Sequence, residues 1–283
     1  MTKAKIIRKV LTDNHLFHSV MRLIKLIIYD FFVPQFQTLF SGKNRHIVRV
    51  DGELDREIPF VESKIYEYLS FTSHWISALS WMLDEFGPPA KEDIRSFIRD
   101  LSNLHARSAE IYKKIQSTTR RPRVPLNPRY WILYFSDPHV HCVPSLHVSE
   151  MALTYMRMKS VIAKYSGEHT RYGPVLQEFF EKEIAIIESV LYTKQHSLNC
   201  VAAGLFFLSA VYPEFGEENA KLFIDALFRE SDVRIQNPER LRTFIRNNYD
   251  EFMRRHQKGY DYRRILIDFL SGFPRVLGIV WDS

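Results

Sequence analysis

Apolar residues recur along most of this chain at three- and four-residue intervals, the period of an α-helix with one buried face. Residues 5–33 carry the pattern as far as Val33-Pro34, where proline disfavours continuation. A basic link through Val50-Asp51-Gly52 reads as strand-like or irregular. Residues 60–86 predict a second apolar helix, stopped by Gly87-Pro88-Pro89. In residues 91–117, Ile94, Phe97, Ile98, Leu101 and Leu104 share one stripe and predict a third. Pro122, Pro125, Pro128, Pro138 and Pro144 make residues 120–144 a loop or short helix. Helical patterns return over 145–165 and 175–212. After Gly216 they continue over 217–230 and 237–256, ahead of a carboxy-terminal segment at 260–281. The expectation is an all-α bundle of roughly seven to nine helices. Its parts are a basic amphipathic segment, 1–50, a helical core, 51–215, and a helical extension packed on that core, 216–283.

Composition sharpens this picture. With 283 residues, 46% of them hydrophobic and 14% aromatic, the chain can bury a substantial core, which argues against disorder. Ten glycines are few for a sheet-rich or turn-rich fold. Cys142 and Cys200 make no disulfide framework and fit a reducing compartment. Charge is uneven: residues 1–50 hold nine Lys and Arg against Asp13 and Asp30, a net +7 within a total of +6. Apolar Ile6, Ile7, Val10, Leu11, Val20, Leu23, Ile24, Ile27 and Ile28 lie among those cations. Residues 1–33 therefore either rest on an anionic membrane surface or pack on the core with a solvated basic face. No nucleic-acid reading motif accompanies the cations, so nucleic acid is not an expected partner. The first residues lack an apolar core ending in small residues, so no secretory signal is expected. Residues 195–213 are interrupted by polar side chains and residues 68–83 are too short, so neither reads as a membrane span. A soluble or membrane-associated protein is expected.

Three segments carry candidate chemistry. Lys114 and Arg121, seven apart before Pro122, could face one pocket from a helix and bind phosphoryl oxygens, or form part of a solvated basic surface with Arg120 and Arg123. Pro144-Ser145-Leu146-His147 precedes a helical pattern. That puts Ser145 near a cap whose outward amides suit an anion, and His147 in the first turn as a proton donor or a plain surface residue. Ser189, Thr193, His196 and Cys200 fall at i, i+4, i+7 and i+11, one stripe if the helix is continuous. His196 there is either a nucleophile toward phosphorus or a core histidine bonded to a carbonyl. A metal site is a separate option, because His139, His141, Cys142, His147, His196 and Cys200 are all good zinc ligands, although no tight ligand motif joins them.

Together the three segments resemble the type 2 phosphatidic acid phosphatase superfamily, which includes bacterial acid phosphatases and vanadium haloperoxidases. Its pattern is K-x6-R-P, P-S-x-H and S-R-x5-H-x3-D. Lys114, Arg121 and Pro122 match the first part, Pro144, Ser145 and His147 the second, and Ser189 and His196 the third. Leu54-Asp55-Arg56-Glu57-Ile58-Pro59-Phe60-Val61 and Thr193-Lys194-Gln195-His196 resemble the inositol phosphorylceramide synthase branch. The likeness spans about residues 50–212.

It implies that His196 is a nucleophile forming a phosphohistidine and that His147 is the acid protonating the leaving group. Lys114, Arg121, Ser145 and Ser189 would hold the phosphoryl oxygens, with no metal or other cofactor. The substrate would be a lipid phosphate or another phosphomonoester. Two positions depart from the pattern. Val190 stands where the family has an arginine, and Cys200 where it has the aspartate that orients the nucleophile. The competing expectation is a catalytically decayed member serving as a membrane-associated or partner-binding helical protein.

Overall fold

Most of the long amphipathic stretches become helices, but polar caps and packing demands break several of them. The computed structural model describes residues 4–40, 47–122, 126–166, 169–277 and 280–281. Residues 5–33 form α1 (Ala4–Thr12) and α2 (Asn14–Leu26) rather than one helix. Asp13 makes the break, because its carboxylate accepts from the amides of His15 and Leu16, both at 3.1 Å, and caps α2. The chain then widens into a π turn, Ile27–Phe32, and runs on through Pro34 as α3 (Val33–Phe40). A proline within an α-helix collides with the carbonyl four residues back. The wider π turn just ahead of Pro34 makes room for the ring, so the expected stop is absent.

The amino-terminal stripe packs on the core through Ile6, Leu16 and Leu23. A second apolar row, Ile7, Leu11, Ile24 and Ile28, stays exposed beside Arg8, Arg22 and Lys25.

Beyond it come β1 (Ile47–Arg49), α4 (Ile65–Leu69) and α5 (Phe71–Phe86), which ends at Gly87 with φ +64°. Next are α6 (Lys91–Tyr112), β2 (Gln116–Thr118), β3 (Arg120–Arg121) and α7 (Pro128–Ser136). Then follow α8 (Leu146–Ser166), α9 (Gly173–Tyr192), α10 (Leu198–Val211), α11 (Gly216–Ala226), α12 (Pro238–Gln257), α13 (Tyr262–Ser271), β4 (Arg275–Val276) and β5 (Val280–Trp281). The class is all-α. Helices outnumber the expected seven to nine because stretches predicted as single helices, such as 60–86 and 175–212, are each divided. The strands only staple the ends of the fold. β1 pairs in parallel with β2, placing Val48 opposite Ser117, and antiparallel with β4; β3 pairs in parallel with β5.

α10 is the central element. It is apolar all round and buried from Leu198 to Ser209, with α8 and α12 against it and α5, α6 and α9 around α8. α12, from the carboxy-terminal part, contributes buried Leu241, Ile245, Tyr249 and Phe252. No single helix among the described residues is long and apolar enough to cross a membrane.

The crossing of α8 on α10 depends on Gly204. A Cβ there would lie 2.9 Å from the Ser145 carbonyl oxygen and 2.9 Å from Val148 Cβ. Ser149 Oγ donates to the Gly204 carbonyl at 2.9 Å, which ties the two backbones together. Gly204→Ala should therefore lower stability by about 1–2 kcal/mol, the cost of forcing the helices apart exceeding the gain in helix propensity. A urea unfolding midpoint that stays level or rises would contradict this.

Candidate active site

Two helix starts meet at the site. His147 is the second residue of α8, and His196 lies in the turn 193–197 between α9 and α10. That turn forms because the Val190 carbonyl accepts two amides, from Gln195 at 3.0 Å and His196 at 2.9 Å, after α9 has ended. His147 Nδ1 and His196 Nε2 are 3.4 Å apart. The His147 ring is held by Tyr68, stacked at 4.7 Å between centroids, and by Phe71 at 4.3 Å. Both histidines line a cavity of about 320 Å³. Its apolar wall includes Leu23, Ile27 and Phe31 from the amino-terminal helices, with Phe71, Trp75 and Leu101. On its other side His196 also borders a polar cavity of about 330 Å³, lined by Asp55, Arg56, Thr119, Arg120 and Lys194.

The remaining motif residues do not all converge on this point. Lys114 is exposed in the turn after α6 and lines neither cavity. The expectation that it and Arg121 face one pocket from a helix fails because α6 ends at Tyr112 and the chain enters β2 and β3. Arg121 is wholly buried, donating to the Asp137 carbonyl at 3.1 Å and to Gln195 Oε1 at 2.8 Å, with its guanidinium 4.5 Å from the Tyr134 ring. Ser145 is buried at the start of α8, its Oγ 3.5 Å from the Val148 amide and its carbonyl accepting from the Ser149 amide at 3.1 Å. Ser189 Oγ donates back to the Ile186 carbonyl at 2.6 Å. Val190 is core.

The predicted stripe Ser189–Thr193–His196–Cys200 is not one helical face, since the chain breaks between positions 193 and 197. The Cys200 thiol packs against Ser197 Oγ at 3.2 Å. No side chain among the described residues holds the buried Nδ1 of His196, the nitrogen an orienting acid would hold; the Cys142 backbone is the polar group that acts on the ring.

Several groups at the site were not singled out for phosphoryl chemistry. His105 Nε2 lies 3.0 Å from Glu150 Oε1 on the cavity wall. His139 Nε2 is 2.7 Å from Thr119 Oγ1, which also lies 3.1 Å from the Lys194 carbonyl oxygen. His141 stacks on Tyr112 at 4.3 Å. These histidines share the cavity with Cys142, but no three His, Cys, Asp or Glu side chains among the described residues are grouped to hold a metal ion, and Cys200 faces Ser197. The sequence did offer a signal for Asp55 and Lys194, since both fall in the segments resembling the synthase branch. Asp55 Oδ1 accepts from the Leu198 amide at 2.8 Å, and burial pushes its carboxyl up to about 6.

No family model, curated protein or solved structure matches this chain.

Burial sets the protonation of the cluster. It lowers His196 to about 3, assisted by the nearby Arg121 charge and only partly offset by the Cys142 backbone. His139 and His147 also fall well below the usual histidine range, first through burial and then through neighbouring cations and imidazoles. A histidine whose pKa is depressed on folding adds stability that is complete above about 6.5 and is lost as pH falls toward its folded value. Asp55 and Glu183, raised by burial, act in the opposite sense, so the effect is best read residue by residue. Side-chain NMR between pH 8 and pH 5 should show His139, His147 and His196 staying neutral. Titration of any of them near 6.5 would contradict the burial argument.

Proposed function

We propose that this chain is a phosphoric ester hydrolase or phosphotransferase resembling the type 2 phosphatidic acid phosphatases, with His196 as nucleophile. The observation that carries the reading is the meeting of His147 and His196, 49 residues apart in sequence, at 3.4 Å on a cavity wall. In this reaction neutral His196 Nε2 attacks phosphorus, the ester P–O bond breaks, and His147 protonates the departing oxygen. Burial disfavours protonated His147, but the negative charge of a bound phosphoryl group reverses that preference, so the substrate itself loads the acid. Water or an alcohol then cleaves the N–P bond, with His147 taking the proton. Because the imidazoles touch, a phosphoryl group enters only by separating them.

One observation favours the decayed, partner-binding alternative. Lys114 faces solvent, Arg121 spends two donors on protein oxygens and Ser189 is bonded within its helix, so none of them lines the cavity.

The two readings separate in an assay of the full chain on a soluble phosphomonoester and on a lipid phosphate in anionic vesicles, with and without chelator. The catalytic reading expects chelator-resistant hydrolysis, abolished by His196→Ala and lowered about 10²–10⁴-fold by His147→Ala. Membrane contact through residues 1–33 adds a further expectation. Exchanging exposed Ile24 and Ile28 for Ser should slow the lipid reaction, but not the soluble one. No hydrolysis of either ester by folded protein would leave the decayed reading.

A further inference from the structure

Asp55 and Lys194 have no part in the chemistry above, yet they bracket His196. Lys194, two residues before it, has φ +57°, a left-handed conformation that side chains other than Gly, Asn and Asp rarely adopt. Its Nζ donates to the Asp55 carbonyl at 2.7 Å and to the Ile58 carbonyl at 2.5 Å. Leu198, two residues after His196, donates its amide to Asp55 Oδ1 at 2.8 Å, while Asp55 Oδ2 accepts from the Gly52 amide at 2.7 Å. Ser197 makes no side-chain cap at the start of α10, so a carboxylate 143 residues away in sequence serves one of its first amides. Thr119 Oγ1 holds the Lys194 carbonyl from a third side.

We propose that Asp55 and Lys194 form a two-point tether that fixes the turn carrying His196 against residues 52–58, making both of them positioning residues. The tether assigns a role to the Leu54–Val61 segment. Ile58 and Asp55 offer carbonyls to one ammonium, and the Asp55 carboxylate holds the backbone on the far side of the histidine. A glycine at 194 would accept the left-handed backbone without strain but would lose the ammonium; the lysine is explained by its two carbonyl partners. With no side chain on Nδ1 of His196 among the described residues, orientation of the ring rests on backbone, that of Cys142 beside it and that of the turn that carries it. The positioning role rests on the phosphoryl-transfer reading, whereas the tether itself does not.

The test uses full-length Asp55→Asn, Lys194→Met and Lys194→Arg, with two readouts. In side-chain NMR, Asp55→Asn and Lys194→Met should move the His196 ring signals and leave those of His256, on α12, in place. In the phosphomonoester assay, both should lower kcat about 10–100-fold with KM within about twofold, and Lys194→Arg should recover most of the loss. Unmoved His196 signals in folded Lys194→Met overturn the tether, as do signals that shift equally at His196 and His256. If the unsubstituted chain hydrolyses no ester while the His196 signals still respond, the phosphoryl-transfer reading fails and the tether stands. Should Asp55→Asn not fold, the Lys194 pair decides alone.

Discussion

The backbone contact between α8 and α10 at Gly204 is the constraint from which the rest of the site follows. Only a residue without a Cβ lets the Ser145 carbonyl and Val148 lie so close to α10. That approach brings the first turn of α8, with His147, against the turn that opens α10, with His196. The amino-terminal helices then close the apolar side of the cavity, and the Tyr68 and Phe71 rings fix His147 from α4 and α5. A displacement at the crossing would be carried to the histidine pair, because α8 begins beside it and α10 begins at Leu198, less than two turns before Gly204.

Electrostatics at this place are those of a water-poor cluster. Burial first, and then the neighbouring guanidinium and imidazoles, disfavour the charged forms of His139, His147 and His196, which are held neutral. Neutrality suits a nucleophile, while protonation of His147 has to await an anion. Arg121 is anchored by Asp137 and Gln195 rather than exposed to the cavity, which makes it a source of field more than a ligand.

Much of this was legible in the sequence, for identifiable reasons. The helical class followed from the apolar period, and the pairing of His147 with His196 was suggested by their two motifs. The breaks were less legible. α10 is apolar on nearly every side, so periodicity could not reveal that the Val190 carbonyl diverts the chain at 193–197, just ahead of it. The same hidden turn dissolved the Ser189–Cys200 stripe. Lys114 satisfies K-x6-R-P by spacing alone, but a spacing does not state whether the intervening residues are helix or strand, and here they are strands. The Asp55–Lys194 contact depends on pairing across 139 residues, which no local pattern encodes.

The central claim is that His196 carries a phosphoryl group. Rapid quenching at alkaline pH during turnover of a phosphomonoester, followed by peptide mass spectrometry, measures this directly, since phosphoramidates survive base. The account predicts a phosphate mass on the peptide containing His196, lost in His196→Ala and accumulating in His147→Ala if the loss of the base slows the second step more than the first. Turnover with no phosphate on His196, or with phosphate on another residue, would contradict it.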